Sequence, residues 1–279
     1  MMRSIIAIVI LFAGLAGAQD MHQRMWDWME LPSGDPAWMT GQVVYYPLDG
    51  DGTDAVGGFD GTVGANVAFT NDAVRGTAGA FRAGVSSETP ASMCIQTDFK
   101  FQGDNTTPDE YTAFGDGATF SVWAKYVPAR SFGSVDAIFE ARDGTLTCGI
   151  IAYDFGTPTT VYKMSAAYLP SGTGLLTLVA KGLNNYKTHT NWTHYAVTYE
   201  WKTAAILTAK TYLNGVQVST YDKDMQSRRL WFDCPMMIGQ RGNLGGRADT
   251  WGGFIDEVRI WNRALSSNEV AEVYNYDVP

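Results

Sequence analysis

The acids near the end of the chain come closest to chemistry. Gly253-Phe254-Ile255-Asp256-Glu257-Val258-Arg259-Ile260-Trp261-Asn262 reads as a strand. On a regular strand alternate side chains share a face. That groups Asp256 with Val258, Ile260 and Asn262, and turns Glu257, Arg259 and Trp261 the other way. With Val258 and Ile260 in a core, Asp256 lies at its rim and needs a partner, because an unpaired buried carboxylate is costly. A cation, an arginine or several backbone N–H groups would each satisfy it.

Acids can also hydrolyse glycosides, but a retaining mechanism needs two carboxyls about 5–5.5 Å apart. Asp136 and Glu140 share a strand face yet lie four residues apart, roughly 13 Å when extended. Asp256 and Glu257 point to opposite faces. No Gly-x-Ser-x-Gly elbow is present. The three histidines, His22, His189 and His194, form no metalloprotease motif, and His194 reads as an ordinary strand residue. The expectation is a protein that is not an enzyme.

Binding is the other chemistry on offer. An aromatic ring can cover the apolar face of a sugar while neighbouring polar groups read its hydroxyls. Trp231 and Trp251 sit in segments rich in Gly, Asp and Arg, and Tyr186 follows Asn184 and Asn185. These three are the candidate ligand-binding residues, with loop anchors as the plainer alternative. Trp123 and Trp192 have apolar strand neighbours and read as core. The run Asp49-Gly50-Asp51-Gly52-Thr53-Asp54 looks calcium-like but lacks the length and the downstream Glu of an EF-hand loop. A Gly-rich turn is its simpler reading.

The elements that must position these groups are β. From Gln42 onward short alternating runs are separated by Gly, Asp, Asn and Pro, which predicts strands. They fall at Val43–Leu48, Ala78–Arg82, Met93–Thr97, Thr119–Val127, Ala137–Ala141, Thr147–Tyr153 and Val161–Tyr168. Others follow at Leu175–Lys181, Trp192–Tyr199, Ile206–Leu213, Val216–Thr220, Met236–Ile238 and Gly253–Asn262. Asn214-Gly215 predicts a type I′ hairpin. Ser266 and Glu269 form a capping box that opens a short helix carrying the stripe Val270, Val273 and Tyr274. Many short strands with no helical pattern between them indicate an all-β, two-sheet antiparallel sandwich with a short C-terminal helix.

Residues 1–18 read as a signal peptide. Arg3 precedes the apolar run Ile5 to Leu15 and a small-residue site at Ala16-Gly17-Ala18. The run is too short to span a bilayer, which takes roughly 20 residues, so a secreted product without a membrane span is expected. Without Arg3 the chain holds 19 basic and 29 acidic residues, a net charge of −10. That argues against a nucleic-acid partner, which needs basic patches. Residues 19–41 form an arm rich in Met and Trp that either packs on the domain or seeks a partner; residues 42–279 read as one domain. Cys94, Cys148 and Cys234 cannot all pair, and both one disulfide and three thiols remain open. Asn105 and Asn191 lie in glycosylation sequons.

Taken in order, six pieces resemble the laminin G-like jelly roll of the concanavalin A-like lectin and glucanase superfamily. They are Tyr45-Tyr46-Pro47-Leu48-Asp49-Gly50, Gly79-Ala80-Phe81, Phe120-Ser121-Val122-Trp123-Ala124-Lys125, Trp192-Thr193-His194-Tyr195-Ala196-Val197-Thr198-Tyr199, Tyr212-Leu213-Asn214-Gly215, and the stretch from Gly253 to Ser266. The resemblance covers about residues 42–276. It implies one structural calcium (Ca2+), with Asp256 the first candidate ligand and Asp49 the second, in the oxygen-rich shell that calcium prefers. The Glu-x-Asp-x-Glu strand of that superfamily's glucanases is absent from this sequence. The implied function is a secreted recognition module for a glycan or an extracellular protein surface. The alternatives are a structural or adhesive assembly protein and, less favoured, a divergent glycoside hydrolase.

Overall fold

The computed structural model describes residues 35–81, 90–100, 117–128, 135–143, 146–154, 158–167, 175–184, 186–224, 235–240 and 250–277. Residues 1–34, Trp231, Cys234 and Asn105 lie outside them. The described strands are β1 (Gln42–Tyr46), β2 (Gly61–Val63), β3 (Ala68–Thr70), β4 (Ala78–Phe81) and β5 (Ile95–Lys100). Next come β6 (Gly117–Tyr126), β7 (Val135–Asp143), β8 (Leu146–Asp154), β9 (Pro158–Ala167) and β10 (Leu175–Asn184). The last are β11 (Thr193–Trp201), β12 (Ile206–Leu213), β13 (Val216–Asp224), β14 (Pro235–Ile238) and β15 (Gly253–Trp261), followed by helix α1 (Ser267–Asp277). All thirteen expected strands are present. The two unexpected ones, β2 and β3, are three residues long, too short to show an alternating pattern.

Two antiparallel sheets form the sandwich. The first runs β13-β12-β11-β6-β15-β4-β3, with β1 also paired to β15; the second runs β10-β9-β8-β7-β14-β5-β2. Val44, Tyr46, Phe120, Phe139, Val197 and Ile260 belong to the core between them and are fully buried. A second cluster lies on the outer face of the first sheet, where Trp261, Ala196 and Tyr212 meet Val270 and Val273 of α1.

The local signals work as expected. Asn214 and Gly215 take φ of 48° and 75°, the left-handed pair that matches the twist of a tight hairpin. Ser266 N–H donates to Glu269 at 2.8 Å, and Glu269 N–H donates to Ser266 Oγ at 3.3 Å. The Arg263 guanidinium, itself bonded to Glu269 at 2.6 Å, holds that carboxyl down at about 2. The end of the 19–41 arm packs on its own domain. Trp38 is buried, accepts a 2.6 Å bond from Trp261 Nε1 at its carbonyl, and meets the ring of Tyr276 edge-on at 5.1 Å.

Candidate functional site

The acids of the closing strand sit where β15 changes neighbours. On one side β15 pairs throughout with β6; on the other it pairs with β4 from Gly253 to Ile255 and with β1 from Val258 to Trp261. At the changeover the register to β6 slips, four residues of β15 (Asp256 to Arg259) spanning three of β6 (Trp123 to Ser121). Glu257 takes φ +54°, the left-handed region that side chains seldom adopt. This bulge corrects the strict alternation read from the sequence. Ile255 now joins Val258 and Ile260 in the core, while Asp256 pairs with Trp123 on the face turned toward α1.

Asp256 is fully buried and accepts three backbone N–H groups. Val74 and Arg75 donate to Oδ2 at 2.8 and 3.2 Å, and Glu257 donates to Oδ1 at 3.0 Å. Burial raises its pKa to about 8, with the Glu257 charge adding to the shift and the three N–H groups opposing it. Asp49 holds the same loop from its other end, accepting from Thr77 N at 2.7 Å. Gly76 stands between them at φ +54°, and a Cβ there would come within 1.6 Å of Asp49 Oδ1. The two predicted calcium ligands are thus drawn to one tight loop, but as acceptors for N–H donors. A calcium shell needs six to eight oxygens, and these residues do not fit it. Among the described residues no three His, Cys, Asp or Glu side chains converge as a metal group.

Glu257, Arg259 and Asp277 form a sealed ionic seam beneath α1. Arg259 donates from Nη1 to Asp277 Oδ2 at 2.6 Å and from Nη2 to Glu257 Oε2. Tyr45 donates its hydroxyl to Glu257 at 2.8 Å, and Trp123 Nε1 donates to Asp277 at 3.0 Å. The side chains of the three charged residues are at most 1% exposed. One guanidinium faces two carboxyl groups, and the charge of Arg75 also acts on Glu257. Burial lifts the Glu257 carboxyl to about 7, Arg259 pulling it down and Asp277 pushing it up. Burial works against the Arg259 charge, but Asp277 and Glu257 hold it firmly protonated.

His194 is also buried, joined to Ser121 Oγ through Nε2 at 2.7 Å, with no partner for Nδ1 among the described residues. Its ring lies 5.3 Å from Trp123 and 5.8 Å from Tyr274. Desolvation drops it to about 4. Between Asp136 and Glu140, β7 slips register against β8, at Ala137 to Phe139, so the strand is not regular there.

The ring candidates need correction. Trp251 and Tyr186 are fully buried, not exposed. With Tyr126 they make an interior cluster, Tyr126 meeting Tyr186 at 5.4 Å and Trp251 at 5.9 Å. Trp251 Nε1 donates to the Phe254 carbonyl at 3.2 Å, so its polar atom is satisfied without ligand or water. Gly and Asp neighbours in sequence signal a turn, not which way a ring turns. Trp123, read as core, is buried; Trp192, read the same way, is only half-buried. Cys94 is buried and free, its thiol pushed up to about 12.

The family model described as the concanavalin A-like lectin/glucanases superfamily, laminin G type, matches residues 99–271. No curated protein matches the chain. Among solved structures, the binding domain of paraclostridial mosquitocidal protein 1 superposes with a TM-score of 0.58 at 15% identity, over 86% of this chain and 53% of that one. The binding domain of botulinum neurotoxin DC, in complex with SialylT, gives 0.57 at 11% identity, over 86% and 52%. The chain therefore spans about half the length of these structures, and at such identities the likeness is one of fold.

Proposed function

This chain belongs to the concanavalin A-like lectin/glucanases superfamily, and from that membership we propose that it is an exported, non-catalytic recognition module for a carbohydrate or a protein surface. The observation that carries this reading is the fate of the acids on the closing strand. Asp256 spends its oxygens on backbone N–H groups, and Glu257 and Asp277 share Arg259 beneath a helix. A sugar cannot reach any of them, and glycosidase chemistry needs two carboxyls that flank the scissile bond.

The helix side of the first sheet is occupied, which leaves recognition to surfaces beyond α1. The similar structures are binding domains by name, one of them in complex with SialylT. Export rests on the leader at residues 1–18. No helix among the described residues is long and apolar enough to cross a membrane.

Two assays separate recognition from hydrolysis. Binding on a glycan array, with no release of reducing ends from the bound oligosaccharide, is the expected pair of results. Reducing-end release that scales with protein concentration would overturn it.

A second reading, assembly, draws on β13. This strand ends the first sheet and exposes Val216, Val218 and Tyr221 by 66%, 40% and 46%. Exposed apolar edge strands invite pairing with another chain. Light scattering tests it: an ordered oligomer lost on Val216→Lys would favour assembly.

A further inference from the structure

A second polar and aromatic group lies on the outer face of the first sheet, apart from the sealed seam. Lys125 of β6 and Phe254 of β15 are directly paired, and the Lys125 Nζ stands 5.7 Å from the Phe254 ring centre. Trp192, just before β11, lies 6.4 Å from Phe254 with ring planes 33° apart. Asp72 joins them. It accepts from Trp192 Nε1 at 3.1 Å and from Lys125 Nζ at 3.0 and 2.7 Å.

This group differs from the buried rings in access. The Asp72 side chain is 44% exposed and that of Lys125 23%, and both rings are half-buried. Trp123, two residues from Lys125 on the same strand, is stacked under Tyr274 of α1 at 5.3 Å. Alternate strand residues share a face, so the group begins where the helix stops covering the sheet. Its Trp N–H is satisfied by a residue that itself meets water. That fixes the ring plane before any ligand arrives, and such preorganisation lowers the cost of binding.

The geometry points to a saccharide subsite here: a sugar ring laid on Trp192 and Phe254, with its hydroxyls donating to Asp72 and accepting from Lys125. This rests on the recognition reading and gives it a place. The chemistry narrows the ligand. A carboxylate offers acceptors and an ammonium offers donors, the complement a hydroxyl needs. Lys125 and Asp72 balance each other's charge, so the site suits a neutral sugar and, among the described residues of the group, offers no spare cation to a sialylated or uronic one.

The test uses an array carrying neutral and sialylated oligosaccharides, followed by calorimetry with the neutral oligosaccharide that binds best. Trp192→Ala and Phe254→Ala should each weaken that binding at least tenfold, and Trp192→Phe should restore most of it. Asp72→Asn should weaken it too. Should Trp192→Ala fail to fold, Phe254→Ala and Asp72→Asn carry the same comparison. If the wild type binds and these variants bind equally well, the subsite is elsewhere while recognition stands. Selective binding of sialylated glycans alone would overturn the neutral assignment. Binding of no glycan by the wild type would remove both the site and the carbohydrate reading behind it.

Discussion

Arg259 and Asp277 meet through a 2.6 Å hydrogen bond with neither side chain more than 1% exposed, tying the closing strand to the last turn of the C-terminal helix. An acid at a helix C-terminus opposes the helix dipole. Its place there is stabilised by the guanidinium and by Trp123 Nε1. The helix is thus held by charge as well as by Val270 and Val273.

Removing the guanidinium leaves two buried carboxylates facing each other. Arg259→Ala should therefore cost about 3–5 kcal/mol, the usual loss when one partner of a buried pair is deleted. Urea unfolding of the purified domain measures it. The triple variant Arg259→Met, Asp277→Leu and Glu257→Gln, which leaves no buried carboxylate of the seam unpaired, should recover much of that loss; no recovery would mean that the charge is not what holds the helix.

Asp256→Ala should cost about 1–3 kcal/mol for each buried N–H left unsatisfied, up to the three that it now accepts. The same carboxylate, satisfied by N–H donors, should not depend on calcium. Differential scanning fluorimetry with and without a chelator should give one melting temperature. A drop of several degrees that added calcium reverses would show that an ion is part of this corner after all.

His194 gives the fold an acid-side weakness with a definite sign. Its folded pKa of about 4 lies below its ordinary 6.5. Between those values the unfolded chain binds a proton that the folded one refuses, so stability falls as pH falls. At 1.36 kcal/mol per unit, the loss approaches about 3 kcal/mol by pH 4. Asp256 and Glu257, raised to about 8 and about 7, work in the opposite direction, losing stability as pH rises through those values. Comparing His194→Gln with the wild type isolates the histidine: the gap between their stabilities should shrink or reverse from pH 7 to 4.5, and parallel curves would count against it.

Gly76→Ala should destabilise by more than an ordinary surface change, by roughly 1–3 kcal/mol, the cost of a residue held in a sparse backbone region. The methyl group would also strike Asp49 Oδ1. Thermal unfolding of Asp49→Ala/Gly76→Ala beside Asp49→Ala alone separates the two causes, since both lack the Asp49–Thr77 bond and the step between them carries only the backbone strain.

The strands were legible because large apolar residues recur at alternate positions, as Tyr195, Val197, Tyr199 and Trp201 do in β11, even though that strand is buried on both faces along most of its length. The hairpin at Asn214-Gly215 and the cap at Ser266 and Glu269 were legible because their partners lie within three residues. Asp256 was found for a sound reason, as a buried acid in need of partners. Its partners were not legible: Val74 and Arg75 lie more than 180 residues away and donate through backbone atoms, which every residue but proline possesses.

By itself the sequence determined the two antiparallel sheets, their closing helix and the need of one acid for company, because alternation, turns and caps are local. Only the tertiary structure decided which face Asp256 takes, since the bulge arises where β15 passes from β4 to β1. It also decided that Trp251 and Tyr186 are interior while Trp192 and Phe254 meet water. Exposure depends on what packs above a residue: the main core takes in Trp251 and Tyr186, while the helix from the far end of the chain covers Trp123 and stops short of Trp192 and Phe254.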